Sequence, residues 1–297
     1  MKSAVLLMAH GTPSSLDEMP EYLRLVRGGR PPSPELIAEM RHNYEAIGGR
    51  SPLTDITIAQ ADALGRRLGA DLPVAVGMRN WRPFIADALE GLAGRGIERV
   101  IGVPMAPQFS TLSVQKYVDA ARAALPQTLC FEAVTSYHAH PLVLQAFAER
   151  VREATVRGGA AVDPAEVVVF TAHSLPVRVI ESGDVYADEV AATARGVAER
   201  AGISRFEIAY QSAGRTPEPW IGPDLSELIV SRVADGARSF LVVPVGFVCD
   251  HTEILFDIDV QAGRTATDAG ATLRRTESLN TSPTFISALE QIVRGML

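Results

Sequence analysis

Two distant apolar segments of this chain end in the same short pattern. Residues 4–9 run into Ala9-His10, and residues 167–172 run into Ala172-His173. In both places a small residue follows the histidine, and a proline stands two positions after that. Two further pairs of segments also match, in the same order: residues 74–78 with 207–211, and the proline-interrupted residues 100–107 with 241–247. Self-similarity in a fixed order predicts two related halves.

Within each half, apolar segments alternate with amphipathic ones. In the first half we predict strands at residues 4–9, 74–78, 99–105 and 130–134, and helices at residues 15–27, 35–46, 51–68, 84–93 and 114–124. Strands separated by helices of this length are typical of βαβ units and a parallel sheet. We therefore expect an α/β fold of two domains, residues 1–138 and 139–297, facing each other across a cleft. The last predicted helix, residues 284–296, could pack on either half.

Composition excludes several classes of function. The 297 residues are 47% hydrophobic and 21% charged, as in an ordinary soluble globular protein. A net charge of −7 argues against nucleic acid as a partner. Residues 1–8 have no cleavage site, and no apolar segment is long enough to span a bilayer. We expect a cytoplasmic protein without a stable membrane anchor.

The two cysteines, Cys130 and Cys249, are far apart and fit no CxxC metal motif or disulfide framework. They also cannot supply four thiolates to an iron–sulfur cluster.

Residues 240–259 change abruptly from apolar to acidic. Ten almost wholly apolar residues precede Asp250, His251 and Glu253, and Asp257 and Asp259 follow. A buried parallel strand that ends here would place these groups at the carboxyl edge of a sheet, where open α/β folds bind ligands. If Glu253 begins a helix, Asp257 shares its face, and a divalent cation would offset their repulsion. An acid-rich first helical turn is the alternative, since it favours the helix dipole.

His173 allows two interpretations. A histidine at a strand end is either a core residue satisfied by the backbone or a ligand or base, and the equivalent position of His10 favours the second. Together with Glu253 it could bind Fe²⁺, Zn²⁺ or Co²⁺ weakly, or accept protons from a substrate. We interpret His251 as structural. Three other histidines are predicted to be solvated: His42, His138 and His140.

Six segments of the chain carry a resemblance to a known family. They are residues 8–13, 44–53, 109–115, 172–176, 211–223 and 244–253, in family order from end to end. On these motifs the chain resembles the ferrochelatases, and most closely the soluble Gram-positive type that acts on coproporphyrin.

The resemblance implies two Rossmann-like, chelatase-like domains around a porphyrin cleft, each with a parallel sheet flanked by helices. It implies His173 and Glu253 as the catalytic pair, and His173, Glu253 and Asp257 as residues that handle the metal, with Asp259 extending an acidic path. A very strong metal site would defeat the reaction, because the iron has to leave.

By the same resemblance, the substrate-binding residues are His10, Arg27, Asn43, Tyr44, Ser51 and Tyr117. Arg27 and Arg30 would pair with propionates, and Trp220 would serve either the core or the substrate. We expect coproporphyrin III and Fe²⁺ as partners, no tightly bound cofactor and no iron–sulfur cluster, and a monomer.

Some positions depart from the family pattern. His10 stands where the most similar relatives usually have tyrosine, and Asn80 and Gln108 stand where histidine is common. Gln261 stands where the family often has an acid, so the sequence is compatible both with an outer magnesium site and with none. Residues 27–34 are short and polar, unlike the apolar lip of membrane-associated relatives, and this favours a carboxylate-rich porphyrin.

We therefore expect insertion of ferrous iron into coproporphyrin III, giving coproheme for haem synthesis. The alternatives are the same reaction on protoporphyrin IX, or insertion of cobalt into a sirohydrochlorin-like ring. A non-catalytic haem carrier, in which His10 coordinates the iron, belongs to a different class.

Overall fold

The computed structural model describes residues 1–157, 166–214 and 216–297. It contains two four-stranded parallel sheets with the same connectivity. The first has the order β2-β1-β3-β4, formed by β1 (Ser3–Ala9), β2 (Val74–Met78), β3 (Arg99–Pro104) and β4 (Cys130–Ala133). The second has the order β6-β5-β7-β8, formed by β5 (Val167–His173), β6 (Glu207–Gln211), β7 (Ser239–Val243) and β8 (Thr272–Arg275). The segments matched by the repeat, β1 with β5, β2 with β6 and β3 with β7, occupy equivalent places in the two sheets.

Helices flank both sheets. In the first half they are α1 (Met19–Val26), α2 (Pro34–Ala46), α3 (Leu53–Leu68), α4 (Ile85–Gly94) and α5 (Val114–Ala123). In the second they are α6 (Pro141–Arg157), α7 (Val177–Glu181), α8 (Tyr186–Ala201), α9 (Leu225–Ala234), a π-helix (Glu253–Ala262), α10 (Gly263–Asp268) and α11 (Pro283–Arg294). The predicted helices of the first half and the last helix agree with these bounds, except that residues 15–27 divide into a 3₁₀ turn (Leu16–Glu18) and α1. The predicted boundary at residues 138 and 139 falls between β4 and α6.

The two sheets share one apolar core. A single cluster of buried side chains includes Val5 and Ile101 of the first sheet and Phe170 and Leu241 of the second. Helix α11 lies against both α3 and α6, so the last helix packs on both halves. The cleft is therefore bounded by units that are joined beneath it.

A buried carboxylate ties the two halves together beside the cleft. Asp184, between α7 and α8, accepts hydrogen bonds from the backbone N–H and hydroxyl of Thr111, both at 2.7 Å, and from the Ser110 hydroxyl at 3.1 Å. Its other oxygen accepts from the Tyr186 N–H at 3.0 Å. One side chain thus fixes residues 110–111 of the first half to the start of α8.

Replacing Asp184 with alanine is expected to lower the free energy of unfolding by about 1–3 kcal/mol, because the buried Ser110 hydroxyl and the part-buried donors of Thr111 lose their acceptor. Urea denaturation measures this. Asp188→Ala removes an exposed carboxylate from the first turn of α8 and should change the same quantity by less than about 0.5 kcal/mol. Equal unfolding midpoints for the two variants would contradict a role of Asp184 in joining the halves.

Candidate active site

A cavity of about 890 Å³ lies between the two halves and is lined by residues from both. Its volume suits a large organic ligand. The parallel strands explain its position, since His10 follows β1 and His173 ends β5, the strand at the equivalent place in the second sheet. Both histidines line the cavity, as do Glu253 and Asp257. The sequence analysis placed these four side chains at the cleft, and all four line the cavity.

The His173 imidazole is held in one tautomer. Its Nδ1 contacts the backbone carbonyl of Ser174, and a carbonyl can only accept, so Nδ1 carries the proton. Its Nε2 then has a free lone pair and lies 3.7 Å from Oε1 of Glu253. The His173 side chain keeps 31% of its surface exposed. The free Nε2 lone pair of this tautomer allows His173 to act as a base or a metal donor at the cavity wall.

His251 contacts the same carboxylate from a second direction. Its Nδ1 lies 3.1 Å from the Cys249 carbonyl, which fixes the same tautomer, and its Nε2 lies 3.4 Å from Oε2 of Glu253. His251, interpreted from the sequence as structural, therefore lines the cavity and helps to hold the Glu253 carboxylate. The available signal was its spacing, two residues before Glu253 at the end of an apolar segment.

Glu253 is an ionised carboxylate at neutral pH. Burial on its own raises its pKa, but the charge of His173, the hydrogen bond and charge of His251, and the charge of His10 together lower the pKa to about 2. When the histidines are neutral, two imidazole lone pairs face this anion. A proton or a cation between them relieves that repulsion.

Asp257 lies on the π-helix that begins at Glu253 and also lines the cavity. Burial raises its pKa to about 6, the nearby Glu253 charge raises it too, and a hydrogen bond donated by the Ser212 hydroxyl lowers it. The two carboxyl groups thus differ in protonation near neutral pH.

Asp259 does not extend this acidic path, because it forms a two-point ion pair with Arg275, at 2.7 and 2.8 Å. Asp250 is likewise satisfied by Arg275, Ser278 and Asn280. In the described part of the chain, no three His, Cys, Asp or Glu side chains converge closely enough to hold a metal ion. His173 and Glu253 form a two-residue donor set, which suits brief contact with a metal.

His10 forms part of the opposite wall. The Asn80 side-chain nitrogen lies 3.2 and 3.3 Å from its two ring nitrogens, and Tyr22 meets its edge with ring centroids 6.3 Å apart. Burial lowers the pKa of His10 to about 4, so the imidazole is neutral at pH 7. A neutral ring can offer a lone pair to a metal.

The other predicted substrate residues divide into two groups. Asn43, Tyr44 and Tyr117 line the cavity, and burial raises the pKa of both tyrosines to about 12, so they remain hydrogen-bond donors. Ser51 is buried outside the cavity wall, where its hydroxyl accepts from the Leu53 N–H at 3.4 Å. Arg27, at the end of α1, is exposed and also lies outside that wall.

Arg79 and Gln211 are among the wall residues that the sequence analysis did not select. Both stand at the carboxyl end of a strand, β2 and β6. Open α/β folds bind ligands at the carboxyl ends of their strands, so the argument that selected His173 applied to these two residues as well. Gln211 is the partner of His173 in the sheet register, and its amide nitrogen lies 3.3 Å from the Glu253 carbonyl. Trp220 lines the cavity too, which supports the substrate alternative for that residue.

Comparison with known proteins shows the family of this chain. The sequence model of the ferrochelatase family matches residues 2–297. The chain belongs to the ferrochelatase family. Ferrochelatase of Herpetosiphon aurantiacus is 40% identical over 301 residues, covering 99% of each chain, and that of Deinococcus radiodurans is 42% identical over 297 residues, covering 97% of this chain and 94% of the relative. A relative from Geobacillus sp., named coproporphyrin III ferrochelatase, is 36% identical over 300 residues, covering 98% and 97%.

Solved structures support the fold. SirB from Bacillus subtilis with Fe³⁺ aligns with a TM-score of 0.62 at 14% identity, covering 99% of this ferrochelatase and 95% of SirB. CbiX, described as the terminal enzyme of sirohaem biosynthesis in denitrifying bacteria, aligns with a TM-score of 0.58 at 13% identity, covering 99% of each chain. The predicted chelatase-like fold of two parallel-sheet units is thereby confirmed.

As a ferrochelatase, the chain is a lyase that inserts iron into a porphyrin, and its substrates are a porphyrin and ferrous iron. The part of the chain that the structure describes contains no helix long and apolar enough to cross a membrane.

Proposed function

We propose that this ferrochelatase acts on coproporphyrin III in the cytoplasm, producing coproheme for haem biosynthesis, with His173 and Glu253 as its catalytic pair. The observation that carries the catalytic assignment is the Glu253 carboxylate, which lies between Nε2 of His173 at 3.7 Å and Nε2 of His251 at 3.4 Å. Relatives named coproporphyrin III ferrochelatase, 36–37% identical, support the choice of substrate. The polar, exposed residues 27–30 also support it, because they leave no apolar lip.

The chemistry requires three events: two pyrrole N–H protons leave the ring, Fe²⁺ loses its water, and the ion enters the ring. Neutral His173 accepts one proton at Nε2, since its Nδ1 is engaged by the Ser174 carbonyl. Glu253, kept ionised by its pKa of about 2, attracts Fe²⁺ and passes the second proton on to bulk water without holding it. Asp257, whose pKa is about 6, serves as an outer acceptor and metal contact.

In this proposal the porphyrin would lie between these groups and the first-half wall. The cavity-lining residues His10, Asn43, Tyr44 and Tyr117 would then contact the macrocycle, its substituents or the iron. Contacts from Ser51 and Arg27 stay predictions. Fe²⁺ is a substrate, and the proposal includes no tightly bound cofactor and no iron–sulfur cluster.

Steady-state iron insertion tests the choice of porphyrin. We expect kcat/KM for coproporphyrin III to exceed that for protoporphyrin IX by about tenfold or more, since each charged hydrogen bond to an additional carboxylate contributes 1.5–3 kcal/mol. Both porphyrins are assayed in the same detergent, so that their solubility is matched. Sirohydrochlorin with Co²⁺ is the third substrate. No preference for coproporphyrin III would overturn this part of the proposal.

A further inference from the structure

The charges on the cavity wall are strongly unequal. Four carboxylic acids line it: Glu39, Asp224, Glu253 and Asp257. Among residues 1–157, 166–214 and 216–297, Arg79 is the single lysine or arginine that lines it. Ionised acids on the wall repel the carboxylate substituents of a porphyrin. Among the described wall residues, Arg79 carries the positive charge that attracts them.

In the part of the chain that the structure describes, the side chain of Arg79 is unpaired. Its backbone N–H donates to the Ala9 carbonyl at 2.9 Å, and the next N–H, from Asn80, donates to the His10 carbonyl at 2.9 Å. These bonds fix the chain at the end of β2. Among the described residues, however, the guanidinium has neither an ion pair nor a hydrogen bond, although it is partly buried. A partly desolvated cation without a counterion is unfavourable and ready to bind an anion.

The surroundings of Arg79 favour a carboxylate as that anion. Its charge acts on the phenol of Tyr117 and on His10, both on the cavity wall. A guanidinium presents a planar fork of donors that matches a carboxylate, and a neutral phenol adds one O–H donor. Arg27 and Arg30, the sequence-based candidates for this role, are both exposed and outside the wall.

We propose that Arg79, with Tyr117 beside it, binds a carboxylate substituent of the tetrapyrrole. This inference rests on the proposed porphyrin chemistry of the same cavity and deepens it. Arg79 then determines which tetrapyrroles are held, because a ring without a carboxylate at that position leaves the guanidinium unpaired.

The test compares an acid with its ester. Dissociation constants for metal-free coproporphyrin III and its tetramethyl ester are measured by protein fluorescence quenching in the same detergent. In the wild-type protein the acid binds more tightly. Arg79→Met should weaken binding of the acid by about tenfold or more while changing that of the ester by less than about twofold. Arg79→Lys should fall between, because lysine keeps the charge but not the fork.

Arg82→Met is the matched control. Arg82 lies three residues further on, is exposed, and pairs with Glu21 at 3.6 Å outside the cavity wall. It should leave the acid-to-ester ratio at the wild-type value. An unchanged ratio in Arg79→Met, or an equal loss for acid and ester, would overturn the inference.

The measurement is independent of the substrate preference proposed above, because it uses no iron. If insertion shows no preference for coproporphyrin III but Arg79→Met still abolishes acid-over-ester discrimination, the carboxylate site stands and the choice of substrate falls. If the preference holds and the discrimination survives in Arg79→Met, the carboxylate is bound elsewhere. Thermal unfolding of each variant establishes that it is folded.

Discussion

Replacing His173 with alanine is expected to reduce iron insertion by about 10²-fold or more, because the variant loses a positioned proton acceptor. The Nε2 atom of this side chain is free for the reaction, since Nδ1 is occupied by the Ser174 carbonyl. The measurement is kcat for Fe²⁺ insertion under anaerobic conditions, together with the dissociation constant for the metal-free porphyrin. The loss should appear in kcat, with porphyrin binding changed little.

His140→Ala is the control for this experiment. His140 is partly exposed outside the cavity wall, where its ring accepts a hydrogen bond from the Leu142 N–H at 3.3 Å. Its removal should leave insertion near the wild-type rate. Wild-type insertion by His173→Ala would show that the catalytic assignment of His173 is wrong.

Replacing Glu253 with glutamine is expected to reduce insertion by about 10²–10⁴-fold, because the amide keeps the shape but cannot attract Fe²⁺ or accept a proton. The sign of the pH dependence follows from the pKa of about 2. Wild-type Glu253 is already ionised above about pH 4, so the ratio of variant to wild-type rates should stay flat between pH 5 and pH 9, apart from titration of other groups. Initial rates across this range measure it.

Asp257→Asn provides the comparison on the same helix. Asp257 is hydrogen bonded by Ser212, and its pKa of about 6 leaves it partly protonated near neutral pH. We expect a smaller loss than for Glu253→Gln, confined to pH values above about 6, where the wild-type group carries its charge. A larger loss for Asp257→Asn than for Glu253→Gln would reverse the roles assigned to the two acids.

The sequence predicted the sheets well because parallel strands are encoded locally. Continuous apolar segments bounded by helical ones identified β1 and β5 and the strands beside them, and the internal repeat supplied their order. Strand β8 (Thr272–Arg275) was missed, since its sequence Thr-Leu-Arg-Arg lacks an apolar pattern. The register of β8 is set by its pairing with β7, and no local sequence pattern predicts that pairing.

The site was predicted only in part. His173 and Glu253 lie close together because each follows or ends a parallel strand at the same edge of the second sheet, where open α/β folds bind ligands. The tautomers of His173 and His251 were beyond prediction, because they depend on individual carbonyl groups. Asp259 is excluded from the acidic path by its ion pair with Arg275, 16 positions later, and no sequence pattern predicts that ion pair.

The core shared by the two sheets has a consequence for how the cleft is filled. Val5 and Phe170 belong to one continuous apolar cluster, so a rigid rotation that opened the halves would expose that cluster to water. Opening of the two halves about a hinge is therefore opposed by the cost of hydrating that cluster. One side of the rim is closed, because α2 lies against the π-helix there and His42 meets Phe256 edge-on, with ring centroids 6.2 Å apart. Because a porphyrin is flat, we expect it to enter the cleft edge-on, without separation of the two halves.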